Sequence, residues 1–152
     1  MTDPRFIARA TLILDSYRRL LGRDLFIRTG DAAEDARRLF ELPLAVLAHD
    51  TSPAPLIDWA NLAAGRAFDA TPESLLGRPS ADTAPADAVA DRRALFDTLA
   101  ARGFVTNYSG VRVSLAGRRF VIEDVTVFEV TDAAGRPAGH AAVIGGSRPA
   151  GR

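Results

Sequence analysis

The sequence predicts an α+β fold with an antiparallel β-sheet. Three observations indicate it: an amphipathic helix opens the chain, short helical segments and one longer helix occupy its middle, and strand patterns are grouped near its end. Elements grouped in this way are typical of α+β proteins. The length of 152 residues fits a single domain with a substantial core.

Two helices are predicted at the start of the chain. In residues 4–21 the apolar side chains recur at three- and four-residue steps, and Gly22 is a natural C-terminal stop. Residues 32–40 follow Asp31, a residue type that caps helix N-termini, and Pro43 ends this second segment.

Two short strands and two short helices are predicted next. The strand patterns are "LAVLAHD" at 44–50 and "PLIDWAN" at 55–61, and the turn-forming residues "TSPA" separate them. Asn61 has the chemistry of an N-cap for the helical segment "LAAGRAFDA". Thr71 and the proline after it begin a second short helix, "TPESLLG", because they supply a cap and a favourable first position.

The second half of the chain carries one longer helix and three strands. A loop at 78–86 precedes the helix at 87–102, which Gly103 ends. Two strands are predicted within 103–127 and a last one at 138–145.

These elements divide the chain into three parts. Residues 1–43 form an N-terminal helical segment that packs on the sheet or on a partner. Residues 44–145 form the core. Residues 146–152, "GSRPAGR", lack apolar side chains, and we therefore expect a disordered tail.

The stretch 103–127, "GFVTNYSGVRVSLAGRRFVIEDVTV", predicts two strands folded back on each other. The chain must reverse at Ala116-Gly117, and a two- or four-residue loop there pairs apolar residues of the two strands with each other. A three-residue loop would place Val113 opposite Arg119 and spoil the alternation, so we expect the even loop. The residues then expected on one face are Val111, Val113, Phe120, Ile122, Asn107, Ser109, Asp124 and Thr126.

This face combines apolar with polar side chains and is expected to lie beneath the helices. Its polar members are Asn107, Ser109, Asp124 and Thr126. They either hydrogen-bond locally and fix the register, or line a cavity and contact a ligand, because a buried carboxylate is costly without partners. Trp59 and Phe128 would supply the apolar walls of that cavity. Trp59 is expected to share a face with Ile57, two residues before it.

The two histidines, His49 and His140, are expected at the surface or the rim. With no cysteine in the chain, they could bind a metal only together with carboxylates, and nothing in the sequence fixes their approach. The loop "TDAAGRP" leaves open which side of the sheet His140 faces.

Composition limits the function classes. The formal net charge is zero, so no overall field favours nucleic acid or an anionic membrane. No apolar run approaches the roughly 20 residues that span a bilayer, and we expect a cytoplasmic protein. The chain has no cysteine, and all 19 basic residues are arginine. A disulfide, a thiolate ligand, a cysteine nucleophile and a lysine Schiff base are therefore excluded.

Four segments resemble the MEKHLA domain, a relative of the PAS superfamily: "WANLAAGRAF", "TPESLLGRPS", "GFVTNYSGVRVS" and "GRRFVIEDVTVFEV". The resemblance extends from "YRRLLGRDL" near residue 17 to "GHAAVIG" at 145. It implies a five-stranded antiparallel sheet, a helical cradle, and a sensory or dimerising role. We expect a homodimer formed through the N-terminal helix or the outer sheet face.

The resemblance also raises the question of which cofactors of PAS relatives this chain could bind. Flavin photo-adducts and hydroxycinnamoyl chromophores need a cysteine, which this chain lacks, and a covalently held chromophore is not expected. A haem is not expected either, because residues 87–102 contain no histidine. A loosely held flavin, nucleotide or small metabolite remains open.

Three functional hypotheses follow. The first is a PAS-like sensory or interaction domain that binds a small molecule non-covalently between sheet and helices. The second is a small α+β enzyme, similar to ketosteroid isomerase, with Asp124 as the base. The third is a dimerisation module without a ligand.

Overall fold

A five-stranded antiparallel sheet organises the chain in the computed structural model, which describes residues 3–150. The helices are α1 (Pro4–Leu21), α2 (Ala32–Glu41), α3 (Leu62–Ala67), α4 (Pro72–Leu75) and α5 (Val89–Arg102). The strands are β1 (Ala45–His49), β2 (Ile57–Ala60), β3 (Phe104–Val113), β4 (Arg119–Thr131) and β5 (Pro137–Pro149). Their order across the sheet is β2-β1-β5-β4-β3. The predicted α+β fold with an N-terminal helix is confirmed.

The helix boundaries follow local capping chemistry. Gly22 and Gly103 take left-handed backbone conformations after α1 and α5, with φ of 76° and 86°. The side chains of Asp31, Asn61 and Thr71 accept hydrogen bonds from backbone N–H groups in the first turns of α2, α3 and α4. The predicted caps are therefore confirmed.

Helices cover both faces of the sheet. The outer face lies under α1 and α2, and its core comprises Ile13, Leu14, Tyr17, Leu39, Val46, Trp59, Phe128, Val130 and Val143. The inner face lies under α3, α4 and α5, and its core includes Ile57, Phe68, Leu75, Leu95, Leu99, Phe120, Ile122, Val125, Val127 and Ile144. Within residues 3–150, no helix has the length and apolar character needed to cross a bilayer.

Asn61 is fully buried, and its amide makes four hydrogen bonds. Its Oδ1 accepts from the backbone N–H groups of Val46 and Ala64, each at 2.9 Å. Its Nδ2 donates to the carbonyl oxygens of Leu39 at 3.1 Å and Leu44 at 2.8 Å. One side chain therefore joins α2, β1 and α3, with every amide donor paired.

The predicted even loop between β3 and β4 is wrong. Val113 pairs with Arg119, and the Ser114 N–H donates to the carbonyl of Arg118 at 2.9 Å, which leaves a three-residue loop. Gly117, at φ 83°, supplies the left-handed residue that ends such loops. The side chains of β3 are therefore shifted by one position relative to β4 compared with the predicted register.

Two β-bulges interrupt the β3–β4 ladder beyond that loop. Gly110 pairs with Ile122 and Tyr108 with Val125, so β4 has one extra residue between these pairs, where Asp124 has φ 52°. A second shift before Tyr108 adds a residue to β3, where Asn107 has φ 55°. Each bulge reverses which side chains face inward along its own strand.

The last strand is longer than the sequence indicates. β5 continues to Pro149, with Ser147 and Arg148 paired against β4, so residues 146–149 are not a disordered tail. Composition did not indicate this strand because its pairing depends on backbone hydrogen-bonding partners supplied by the long β4. Arg148 also forms an ion pair with Glu123. Residues 151–152 lie outside the described part of the chain.

We expect Asn61→Leu to lower the free energy of unfolding by about 3 kcal/mol or more, because it leaves buried backbone groups without partners and removes a helix cap. Urea denaturation followed by far-ultraviolet circular dichroism measures the change. Thr71→Ala is the matched control, since it removes an exposed cap and should cost about 1 kcal/mol. Equal losses in the two variants would contradict the bridging role of Asn61.

We expect Asp124→Gly to leave the unfolding free energy within about 0.5–1 kcal/mol of wild type, because glycine adopts positive φ without steric cost. Asp124→Val should cost about 1–2 kcal/mol, since a β-branched residue resists that conformation. Thermal denaturation of both variants checks the bulge. A valine variant as stable as the glycine variant would indicate a regular strand at this position.

Candidate functional site

A cavity of about 80 Å³ lies between the inner face of the sheet and α5. Its apolar walls are formed by Leu47, Ile57, Phe68, Leu95, Ile122, Val125, Val127, Ala142 and Ile144. Its polar lining comes from Ser80, Thr83, Arg92, Tyr108 and Arg112, with His49 and His140 at one end. A mostly apolar chamber with a few converging polar groups is the usual form of a small-molecule site.

The four polar residues predicted for this site lie elsewhere. Asn107, Ser109 and Asp124 are exposed, and Thr126 is half-buried. None of the four lines the cavity. A ligand in this cavity would not contact them, because the odd loop and the bulges turn other residues of β3 and β4 inward.

The two predicted apolar walls belong to the outer face. Trp59 stacks on Phe6 of α1 at 5.1 Å between ring centroids, and its indole N–H donates to the Phe6 carbonyl at 3.3 Å. The β1–β2 register shifts beside Asp58, so Trp59 and Ile57 face opposite sides of the sheet, and the expected shared face is wrong. Phe128 packs edge-to-face on Tyr17, at 5.4 Å.

Arg112 is a site residue that the sequence interpretation missed. It lies on the inner side of β3 and is only 6% exposed. Its guanidinium donates to the carbonyl of Val111 at 2.8 Å and to the Tyr108 hydroxyl at 3.3 Å. Gly110 lies between them, and a Cβ there would be 2.6 Å from the Tyr108 hydroxyl. The glycine therefore lets the tyrosine ring lie along the strand beside the arginine.

Arg92 extends toward the cavity from α5. Its guanidinium lies over the ring of Phe96, 5.1 Å from the centroid, and donates to Ser80 Oγ at 3.5 Å. Burial, and then the charge of Arg112, lower the pKa of Arg92 below its ordinary value. In the described part of the chain, neither guanidinium has a carboxylate within ion-pairing distance.

Aromatic side chains separate this cavity from an outer cleft. The ring centroids of His49 and His140 are 5.2 Å apart, and Phe96 lies 5.9 Å from the first and 5.4 Å from the second. The same three residues and Arg92 also line a cleft of about 500 Å³ beside the cavity. They therefore stand between the chamber and the surface.

The approach of the two histidines depends on Gly139. This glycine has φ 104°, and a Cβ there would overlap the carbonyl oxygen of His49. Only glycine allows β5 to come this close to β1 at the strand end. His140, whose side the sequence left open, therefore faces inward beside His49, opposite Glu129 of β4.

Both histidines are neutral near pH 7. Burial lowers the pKa of His49, whose Nδ1 lies 3.1 Å from the carbonyl oxygen of Asp50. Burial, and then the charge of His49, lower the pKa of His140 to about 4, and its Nδ1 is buried without a hydrogen-bond partner. Across residues 3–150, no three histidine, cysteine or acidic side chains cluster as metal ligands would. The arginines are thus the charged groups of the cavity lining.

We expect His140→Phe to flatten the dependence of stability on pH. The unfolded histidine binds a proton near pH 6.5 and the folded one only near 4, so wild-type stability is full above 6.5 and is lost as pH falls toward 4. The loss should be about 1–2 kcal/mol after allowance for partial exposure. His49, Arg92 and Glu129 also face His140 and stay in both proteins.

Urea denaturation of wild type and His140→Phe at several pH values between 7 and 4 measures this difference. Other titrating carboxylates are common to both proteins and cancel in the comparison. Parallel stability curves would show that His140 accepts a proton in the folded state as readily as in the unfolded chain.

Solved structures with the same architecture are PAS and light-oxygen-voltage domains. A PAS domain from Colwellia psychrerythraea aligns with a TM-score of 0.65 and 13% identity, over 78% of this chain and 95% of that chain. A light-oxygen-voltage domain studied with a flavin analogue gives 0.59 and 14%, over 77% and 84%. The PAS domain of a LuxR-family transcriptional regulator from Burkholderia thailandensis, in complex with ethanol, gives 0.56 and 16%, over 70% and 92%.

At these identities the structural neighbours show a shared fold. No curated protein sequence matches the chain. The sequence family is shown by the MEKHLA domain, whose model matches residues 7–146 and so spans nearly all of the elements described above. The resemblance found in the sequence is therefore confirmed, and the chain belongs to the MEKHLA domain family.

Proposed function

We propose that this chain is a PAS-like sensory domain that binds a small molecule non-covalently between the inner face of the sheet and α5. The observation that carries the proposal is the cavity of about 80 Å³, with apolar walls and two arginines. Dry apolar cavities of proteins bind small guests, and a water molecule takes roughly 30 Å³ of liquid. The chamber has about the volume of three water molecules, so it suits a ligand of about three to five non-hydrogen atoms.

The size of the cavity argues against a flavin or a nucleotide. Sites for drug-sized ligands enclose roughly 300–1,000 Å³, several times the volume found here. One of the structural neighbours holds ethanol, a molecule of the size that this cavity suits. Among the ligands that the sequence left open, a small metabolite fits best.

Occupancy of the cavity would act on α5. Leu95, Phe96 and Arg92 of this helix line the chamber, and the opposite wall is the sheet. A ligand that binds more tightly when α5 is in one of two positions shifts the population toward that position. A sensory domain requires such a shift. Entry from the outer cleft passes His49, His140 and Phe96.

The expected homodimer remains a prediction. The apolar stripe of α1 is buried on its own sheet through Ile13, Leu14 and Tyr17. A dimer through that stripe would require α1 to leave the sheet. Val111 and Val121, half-buried on the side of the sheet opposite Arg112, are a candidate contact for the outer-face alternative. Size-exclusion chromatography with light scattering determines the oligomeric state.

The enzyme hypothesis depended on a buried Asp124. In the structure Asp124 is exposed at a bulge and lies outside the cavity lining. Tyr108 does line the cavity, but its hydroxyl donates to Asp91 at 2.7 Å, and not to Asp124. The geometry therefore favours the binding hypothesis.

We expect at least one of ethanol, 1-propanol, propionamide and propionate to raise the melting temperature of wild type by about 3–6 °C at ten times its Kd. Ala142→Leu fills the cavity and should abolish the shift. Ala100→Leu, an exposed change on α5, is the matched control and should retain it. The proposal fails if no compound shifts wild type more than Ala142→Leu and native mass spectrometry finds no co-purified ligand.

A further inference from the structure

The inner face contains a buried cation that nothing in the described chain neutralises. Arg112 is 6% exposed, and its two hydrogen bonds go to neutral oxygens, the Val111 carbonyl and the Tyr108 hydroxyl. Burying a charge costs several kcal/mol unless an opposite charge accompanies it. A site that keeps an uncompensated guanidinium beside an open chamber is suited to receive an anion.

Tyr108 lies between Arg112 and the carboxylate of Asp91, and it hydrogen-bonds to both. The Tyr108 hydroxyl donates to Asp91 Oδ2 at 2.7 Å, so its oxygen is free to accept from the arginine at 3.3 Å. Asp91 therefore orients the hydroxyl, while Arg112 itself lines the cavity. Arginine presents five N–H donors, and the two bonds to Val111 and Tyr108 leave others unused.

A second arginine reaches the same chamber from the opposite wall. Arg92 of α5 shares the cavity with Arg112 of β3, and the charge of one lowers the pKa of the other. Two like charges around an 80 Å³ space repel each other until an anion lies between them. The neutral histidines at the end of the chamber do not add to this charge.

The remaining walls limit what kind of anion fits. The chamber is also lined by the hydrocarbon side chains of Ile122, Val125 and Ile144. These side chains disfavour an anion that is polar on every side. The carboxylate is the anionic group that matches a guanidinium fork while leaving an apolar tail. The volume restricts the whole molecule to a few carbon atoms.

We propose that the ligand of this cavity is a short-chain organic monocarboxylate, with its carboxylate held between Arg92 and Arg112 and its alkyl tail against the sheet. This assignment rests on the proposed function, because it names the ligand class of the same cavity. It makes the domain a receptor for a small organic acid.

Isothermal titration of the full chain with sodium propionate, 1-propanol and sodium chloride at matched ionic strength tests the assignment. Propionate should bind at least tenfold more tightly than 1-propanol, which has the same tail length but no charge. Chloride supplies charge without a tail, and it should neither bind measurably nor displace propionate.

Substitutions separate binding from structure. Arg112→Met should weaken propionate roughly tenfold or more and leave 1-propanol unchanged, while the ligand-free protein keeps or raises its melting temperature, since a buried unpaired charge has been removed. Arg92→Met should weaken propionate binding in the same way, and it replaces Arg112→Met in the test if that variant does not fold. Arg93→Met, an exposed arginine on the same helix, should bind propionate like wild type.

Each contrary result has a distinct meaning. Propionate binding no tighter than 1-propanol would overturn the carboxylate assignment and leave the small-molecule proposal standing. Chloride binding as tightly as propionate would overturn it in favour of an inorganic anion site. Failure of propionate, 1-propanol and chloride alike to bind would overturn the carboxylate assignment, and the small-molecule proposal would fall with it if the melting-temperature and native mass spectrometry tests were also negative. Unchanged propionate affinity in the Arg112→Met and Arg92→Met variants would show that the arginines do not hold the ligand.

Discussion

The paired bulges in β3 and β4 are the constraint on which the candidate site depends. Each strand has one extra residue, so the pairing register is the same on both sides of the two bulges. Within each strand, however, the bulge changes which alternate residues face inward. Without them, Asp124 and Phe128 would point toward α5 with Ile122. With them, Val125 and Val127 close the cavity, and Phe128 turns to the outer face.

The electrostatics of the inner face follow from this geometry. The odd loop turns Arg112 inward, and the bulge at Asn107 sets Val105 rather than Thr106 on the inner face beyond Tyr108. The histidines stay neutral because burial disfavours their charged form, so the positive charge of the chamber is that of the arginines. Within residues 3–150, Arg112 is a buried cation without a carboxylate partner; such a charge lowers stability, and exceptions of this kind are typical of functional sites.

The outer face connects the cavity to α1. Strand β4 presents Val125 and Val127 to the chamber and Phe128 to Tyr17 of α1, so the two faces share one backbone. Arg9 of α1 also donates to the carbonyl of His49 at 3.0 Å, at the strand end that carries the histidine pair. A change in the chamber and a change in α1 therefore act on the same strands.

The sequence by itself determined the helices, their caps at Gly22 and Asn61, the antiparallel class and the family, because each signal lies within a few neighbouring residues or a contiguous motif. Tertiary structure decided the register and the faces, since strand pairing depends on residues far apart in the chain. The sequence did contain one signal of a bulge. Apolar residues at a two-residue spacing, Phe120 and Ile122, are followed by Val125 at a three-residue spacing, as a bulge requires. Arg112 and the approach of the histidines had no such signal, because both depend on how β3, β5 and α5 meet in space.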